Sequence, residues 1–182
     1  MDWLENKEHV LRPEARVLLE HAIKKRALLL DASSSIELKS KRLSPYFFNT
    51  GGFVTGEDLH ILTEAYISAV RAHPALSKAE AVYGPPYKGI SLATNFALLW
   101  GGSLIAASSR KEAKDHGEGG SHLHGDLAGK QTLLIDDVMS SGDSAEDGIR
   151  YIESRQGIPI GGVIAFDRQE RARDSDLSAT QE

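Results

Sequence analysis

The run Leu133-Leu134-Ile135-Asp136-Asp137-Val138-Met139-Ser140-Ser141-Gly142-Asp143-Ser144 is the densest concentration of chemistry in the chain. An apolar stretch runs into two adjacent carboxylates, and a small-residue turn then opens a helical pattern. Small side chains let backbone N–H groups approach a phosphate closely, and the start of a helix adds a field worth about 0.3–1 kcal/mol to a nearby anion. The carboxylates cannot share that anion. They suit ribose hydroxyls, which donate hydrogen bonds, or the water shell of a magnesium ion. A loop that holds a phosphate and a sugar diol together describes a ribose-5-phosphate site. Taken alone, the segment is equally well explained as an ordinary strand, turn and helix with solvated acids.

The elements that must position this loop follow from the patterning. Pro13 with Val17, Leu18, Ala22 and Ile23 predicts an amphipathic helix over 13–27. Thr55-Gly-Glu-Asp58 resembles a capping box, opening a second helix that His73-Pro74 ends. Between them, 35–39 and 46–49 read as short strands around Pro45. From Glu80 onward, apolar runs at 81–83, 103–107, 132–135 and 162–166 alternate with helical patterns at 91–100 and 144–155, the latter closed by Gly157. Such alternation argues for an α/β fold with a parallel sheet covered on both faces, with ligands at the carboxyl ends of the strands. Residues 109–129 hold five glycines in their last thirteen positions, with Arg110, Lys111, Lys114, His116, His122 and His124, and read as one long functional loop. Its three histidines lack a carboxylate or cysteine at ligand spacing, so they are not read as a metal site.

A chain of 182 residues fits one domain. With 41% hydrophobic and 26% charged residues there is material for a real core and no compositional case for disorder. Lys plus Arg is 21 against 26 Asp plus Glu, a net charge of -5, so no global field draws the chain to nucleic acid or an anionic membrane. Any anion site must be local. There is no cysteine, which fits a reducing compartment and excludes a thiol nucleophile. The acidic start and the lack of a long apolar stretch lead to the expectation of a soluble cytoplasmic protein.

The run from Ile135 to Ser144 resembles the phosphoribosyl diphosphate signature of the type I phosphoribosyltransferases, and within them that of orotate phosphoribosyltransferase. Four further segments carry the narrower likeness: Leu38-Lys39-Ser40-Lys41-Arg42-Leu43-Ser44-Pro45-Tyr46-Phe47-Phe48-Asn49, Gly84-Pro85-Pro86-Tyr87-Lys88-Gly89-Ile90, the stretch from Arg110 to Gly120, and Asp167-Arg168-Gln169-Glu170. They stand in the family's order. The resemblance implies a type I phosphoribosyltransferase fold: a mostly parallel central sheet flanked by helices with a small N-terminal hood. Residues 1–50 would be the first helix and hood strands, 51–170 the core and 171–182 a polar tail. It implies transfer of the 5-phosphoribosyl group from phosphoribosyl diphosphate to orotate in pyrimidine biosynthesis, with magnesium carried by the donor and a homodimer sharing its active sites.

By the same resemblance, Phe47 and Phe48 line the pyrimidine, and Arg168 with Ser140 binds it. Lys39, Tyr87 and Lys88 serve the diphosphate. Arg110, Lys111, Lys114 and His116 lie on a mobile loop that closes over the neighbouring subunit's site, bringing Lys114 and His116 to the leaving group. Asp136 and Asp137 fix the ribose diol. Val138, Met139, Ser140, Ser141, Gly142, Asp143 and Ser144 surround the 5-phosphate.

Four departures from the family bear on this. Lys41 replaces a glycine, and strain follows if that position has positive φ. Ser109 replaces an asparagine at the head of the mobile loop. Asp143 stands in place of a hydroxyl residue. A carboxylate about 4 Å from the phosphate would cost about 4 kcal/mol at an effective dielectric of about 20, so Asp143 is expected to turn outward, leaving Ser141 and Ser144 to the phosphate. After Glu170 the family continues through another strand and helix, so the tail reads either as a truncation or as a lost edge element. The second reading left open is a weakly catalytic nucleotide-binding regulator, favoured by Asp143 and the tail and opposed by the cationic loop.

Overall fold

The computed structural model describes residues 11–33, 35–38, 41, 43–114, 120–170 and 176–181, with side chains except at 112–114, 120 and 121. Helix α1 (Pro13–Lys24) starts on its proline. It stops where Arg26 turns left-handed at φ 55, with Ala27 N donating to Ala22 O at 2.8 Å and Arg26 N to Ile23 O at 3.0 Å. The chain then enters strand β1 (Leu28–Leu30), which pairs antiparallel with β4 (Tyr46–Phe48). A second ribbon joins β2 (Ile36–Glu37) to β3 (Leu43–Ser44). These four short strands form the hood. The sequence showed only two of them, because Leu28–Leu30 continues the apolar texture of α1 and has no alternation of its own.

Lys41, at the turn of the β2–β3 ribbon, has φ 65. A lysine therefore occupies the left-handed conformation that a glycine adopts without strain, tied down by its ammonium on Glu37 at 2.8 Å.

Helix α2 (Gly56–Arg71) carries the expected capping box in full: Thr55 Oγ1 accepts from Asp58 N at 3.2 Å and Asp58 Oδ2 accepts from Thr55 N at 2.8 Å. Asp58 is fully buried and also takes His21 Nε2 at 2.7 Å and Lys25 Nζ at 3.0 Å on its other oxygen, pinning α1 to the start of α2.

The main sheet has the order β7-β6-β5-β8-β9. Strands β5 (Ala81–Gly84), β6 (Ile105–Lys114), β8 (Gln131–Met139) and β9 (Ile158–Asp167) run parallel, and β7 (Gly120–His124) returns antiparallel beside β6. Alternate residues bury against opposite layers. Val82, Leu133, Ile135 and Val163 pack with residues of α1, α2 and α3 (Lys88–Trp100). Ala81, Tyr83 and Leu134 pack with Ile152 of α4 (Asp143–Ser154). Gly148 lies against this layer, where a Cβ would sit 2.7 Å from Leu134 Cδ1 and push that side chain aside.

Two expectations are corrected. The 109–129 segment is not one long loop: β6 runs on to Lys114 and β7 resumes at Gly120, giving a hairpin. Its strands are polar beyond Ala107, so no apolar run betrayed them. At the end of α4 the left-handed residue is Gln156 (φ 58), not Gly157. Gly157 instead provides closeness, since a Cβ there would meet Ile152 Cγ2 at 2.7 Å.

Candidate active site

Strand β8 carries Asp136 and Asp137 near its carboxyl end, two residues before it closes on Met139. The Asp136 backbone is fixed by Tyr66 of α2, whose buried hydroxyl donates to its carbonyl at 2.8 Å. The Asp136 carboxylate accepts from Asp137 N at 2.8 Å and from Ser144 Oγ at 2.9 Å. Burial pushes the Asp136 carboxyl above its ordinary value, against the pull of those two hydrogen bonds.

Asp137 points to the other side. Its Oδ2 accepts from Lys88 Nζ at 2.7 Å and from Thr50 Oγ1 at 2.8 Å. Lys88 also donates to Asn49 Oδ1 at 3.1 Å. Lys88 is held near the strand ends by a tight loop: a Cβ on Gly84 would lie 1.8 Å from Gly89 O, so that turn closes only with both glycines. Lys88, expected to serve the diphosphate, is here paired with the Asp137 carboxylate, and Tyr87 beside it is 70% exposed.

The turn after β8 is short. Gly142 adopts φ 93 and precedes α4, which starts on Asp143, one residue earlier than expected. Asp143 is solvent-exposed, as expected, but its carboxylate accepts from Ser141 Oγ at 2.9 Å. Ser144 is committed to Asp136. Both hydroxyls expected to serve a phosphate are therefore hydrogen-bonded to acids, Ser141 to Asp143 and Ser144 to Asp136 of β8. Val138 and Met139 remain strand residues, and Met139 O accepts from Arg168 N at 3.0 Å. A cavity of about 480 Å³ runs from Asp136, Ser140, Gly142 and Ser144 along the α4 face of the sheet to Ile149 and Ile164.

Arg168, just past β9, lies over the ring of Phe47 with 5.6 Å from guanidinium carbon to centroid. Tyr46 OH donates to the Arg168 carbonyl at 2.7 Å, tying the hood to the end of β9. The guanidinium reaches Glu170 at 3.7 Å, and its Nε is buried with no hydrogen-bond partner among the described residues. A half-buried cation with a spare, buried donor beside an aromatic face is suited to a flat anion. Phe48 departs from expectation. It is 2% exposed, stacks on Phe166 at 5.0 Å and meets Phe53 edge-on, so it is core and only Phe47 faces the site. Strand alternation explains this: adjacent residues of β4 point to opposite faces.

On the hairpin, the Arg110 guanidinium donates to the carbonyl of His122, and Lys111 is exposed. His122 in turn meets Tyr151 OH of α4 at 2.8 Å, and Ser108 Oγ meets His124 Nδ1 at 3.0 Å. Lys39 and His116 lie outside the described residues, as does the side chain of Lys114. The sequence reading did not single out Thr50, Tyr46 or Tyr66. Each reads as a turn or core residue, and only the three-dimensional pairing of distant segments marks it.

No protein-family profile matches the chain. Among curated proteins it is 42% identical over 166 residues to orotate phosphoribosyltransferase of Xanthomonas euvesicatoria, a match covering 87% of this chain and 75% of that protein. It is 43% identical over 161 residues to the enzyme of the same name from Stenotrophomonas maltophilia, covering 86% and 73%. A crystal structure of orotate phosphoribosyltransferase from Francisella tularensis superposes with a TM-score of 0.76 at 34% identity, over 91% of this chain and 78% of that one. A Mycobacterium tuberculosis orotate phosphoribosyltransferase solved with 5-phospho-α-D-ribosyl 1-diphosphate shares the fold, with a TM-score of 0.64 at 18% identity over 88% and 86%.

Proposed function

The chain belongs to the orotate phosphoribosyltransferase family, a group of pentosyltransferases of pyrimidine biosynthesis, and we propose that the residues gathered around Asp136, Asp137, Lys88 and Arg168 carry that family's reaction here. The reaction is transfer of the 5-phosphoribosyl group from phosphoribosyl diphosphate to N1 of orotate, giving orotidine 5'-phosphate and diphosphate. The observation that carries the choice of orotate is the Arg168 guanidinium set over Phe47 with a buried, unpaired Nε. A pyrimidine carboxylate brings both the flat ring and the acceptor that this arrangement lacks.

In this reading Asp136 and Asp137 accept hydrogen bonds from the ribose hydroxyls and favour the positive charge that grows on the sugar as the diphosphate departs. The 140–144 turn and the start of α4 receive the 5-phosphate, with Ser141 and Ser144 turning from their acid partners to the anion. Lys88, with Arg110, Lys111 and Lys114 of the hairpin, receives the diphosphate. No side-chain nucleophile is required. Among the described residues no group of three or more acidic or histidine side chains is gathered into a metal cage. The two strand-end carboxylates do fit the water shell of a magnesium ion brought by the donor, which when bound would neutralise charge on the leaving diphosphate.

The proposal includes a homodimer. Its support is an uncovered apolar groove between α2 and α3 lined by Leu59, Leu98 and Leu99, with Leu98 76% exposed. It also includes a cytoplasmic setting, where a polyanionic sugar that crosses no membrane unaided is kept. No helix among the described residues is long and apolar enough to span a membrane. Diphosphate release in the presence of donor and magnesium tests base choice. Release with orotate but not with uracil or adenine is the expected result, and equal release with uracil would remove Arg168 from its role.

A second reading, a nucleotide-binding regulator of low turnover, is favoured by the Asp143–Ser141 contact, which spends a loop hydroxyl on an acid.

A further inference from the structure

Thr50 opens the short turn after β4 and is 8% exposed. Its hydroxyl donates to Asp137 Oδ2 at 2.8 Å, across the gap between the hood and the strand end. The same oxygen takes Lys88 Nζ at 2.7 Å. The two donors differ in freedom. The Lys88 side chain is 52% exposed and is shared with Asn49, whereas Thr50 is enclosed and the turn it opens is capped by Asn49, whose Oδ1 accepts from Gly51 N at 2.9 Å.

We propose that Thr50 is a positioning residue of the donor-bound protein: its hydroxyl holds the Asp137 carboxylate in place once Lys88 has left that carboxylate for the diphosphate. This rests on the reading of Asp137 and Lys88 given above. A diphosphate carries more negative charge than one carboxylate and lies nearer solvent, so it draws the mobile ammonium away. Asp137 Oδ2 then keeps one donor, Thr50. Without it the carboxylate is free to rotate away from the sugar diol, and the alignment on which transfer depends is lost. Thr50 itself touches no substrate in this scheme. Asn49 is the resting place of Lys88 beside Asp137.

Thr50→Val removes the hydroxyl while keeping the branched shape, and Thr50→Ser restores it. The expected result is a loss of about tenfold in kcat/KM for phosphoribosyl diphosphate in Thr50→Val, the size of one hydrogen bond to a charged group. The KM for orotate stays near wild type, and Thr50→Ser recovers most of the loss. The melting midpoint of unliganded Thr50→Val stays close to wild type, because Lys88 still holds Asp137 there. A purely structural role gives the opposite pattern, a lowered midpoint with unchanged kinetics, and that pattern overturns the proposal.

Calorimetric titration of the three proteins with magnesium phosphoribosyl diphosphate reads donor binding without turnover. If the wild type binds donor but converts no orotate, the function reading fails, while weakened binding in Thr50→Val restored in Thr50→Ser still supports the positioning role. Equal binding and equal kcat/KM in all three proteins overturn the positioning role alone. A wild type that neither binds nor turns over the donor overturns both.

Discussion

The guanidinium of Arg168 rests 5.6 Å from the centroid of Phe47, joining the end of the last core strand to a two-residue aromatic step in the hood. The backbone N–H of Arg168 donates to Met139 O at 3.0 Å, which sets this contact at the end of β8, where the turn that begins with Ser140 leaves the strand. If the flat anion enters there, Arg168→Ala raises the KM for orotate by about 10- to 100-fold, the worth of a charge-assisted pair. The KM for the donor stays near its wild-type value. Phe47→Leu raises the orotate KM only several-fold. Steady-state kinetics with each substrate varied in turn read both effects, and an equal rise in the donor KM would show that Arg168 serves the fold rather than the base.

Asp143 is exposed and bonded to Ser141. Its charge is therefore largely screened, and its main effect is to hold a hydroxyl the phosphate would use. Asp143→Thr is expected to tighten donor binding by less than about tenfold, in line with the release of one hydrogen bond. A gain near three decades, the scale of two close like charges, would place the carboxylate against the phosphate.

The Asp136 carboxyl sits above its usual value because burial disfavours its charge. The folded protein therefore holds this proton more tightly than the unfolded chain, and ionising Asp136 as pH rises works against stability while preparing the site. As pH falls through the raised value, Asp136 takes up a proton and loses part of its acceptor capacity for the ribose. The kcat/KM for the donor should drop on the acid side at a pH above the ordinary value of an aspartate, and Asp136→Asn should flatten that limb. A profile with the same acid limb in both proteins assigns the titration elsewhere.

Asp58 is fully buried, and the Thr55 backbone N–H, with His21 and Lys25 adding, holds its carboxyl well below the usual carboxylate range. A depressed folded value contributes stability that is present above the unfolded value, about 3.9, and is lost as pH falls. Urea midpoints of wild type and Asp58→Asn should converge at low pH and separate near neutrality, with the variant the weaker. Midpoints that differ equally at all pH values would mean that only packing is lost.

Lys41 is left-handed at φ 65 without a glycine's freedom. Lys41→Gly relieves that strain, gives up the exposed contact to Glu37 and loosens the unfolded chain, a balance expected to stabilise by up to about 1 kcal/mol. A rise in melting midpoint is the expected sign, and a fall would show that the lysine contact outweighs the strain.

How far the sequence could be read depended on whether the signal was local. The capping box at Thr55 is a four-residue pattern and was legible in full. So was the acid pair near the end of β8, because an apolar strand, two carboxylates and a helix start follow closely along the chain. The β6–β7 hairpin was not, because its strands are polar beyond Ala107 and carry no apolar run. Phe47 and Phe48 looked equivalent until the register of β4 against β1 sent one ring to the core and the other to Arg168. The anchoring of Asp137 by Thr50, and of Asp136 by Tyr66, joins residues far apart along the chain. No periodicity or motif carries such pairs.

The absorbance of orotate, followed after mixing the wild-type chain with phosphoribosyl diphosphate and magnesium, tests the assigned activity most directly. Catalytic loss of orotate with matching formation of orotidine 5'-phosphate is the predicted result. A chain that binds orotidine 5'-phosphate but consumes no orotate would contradict it and establish the regulator instead.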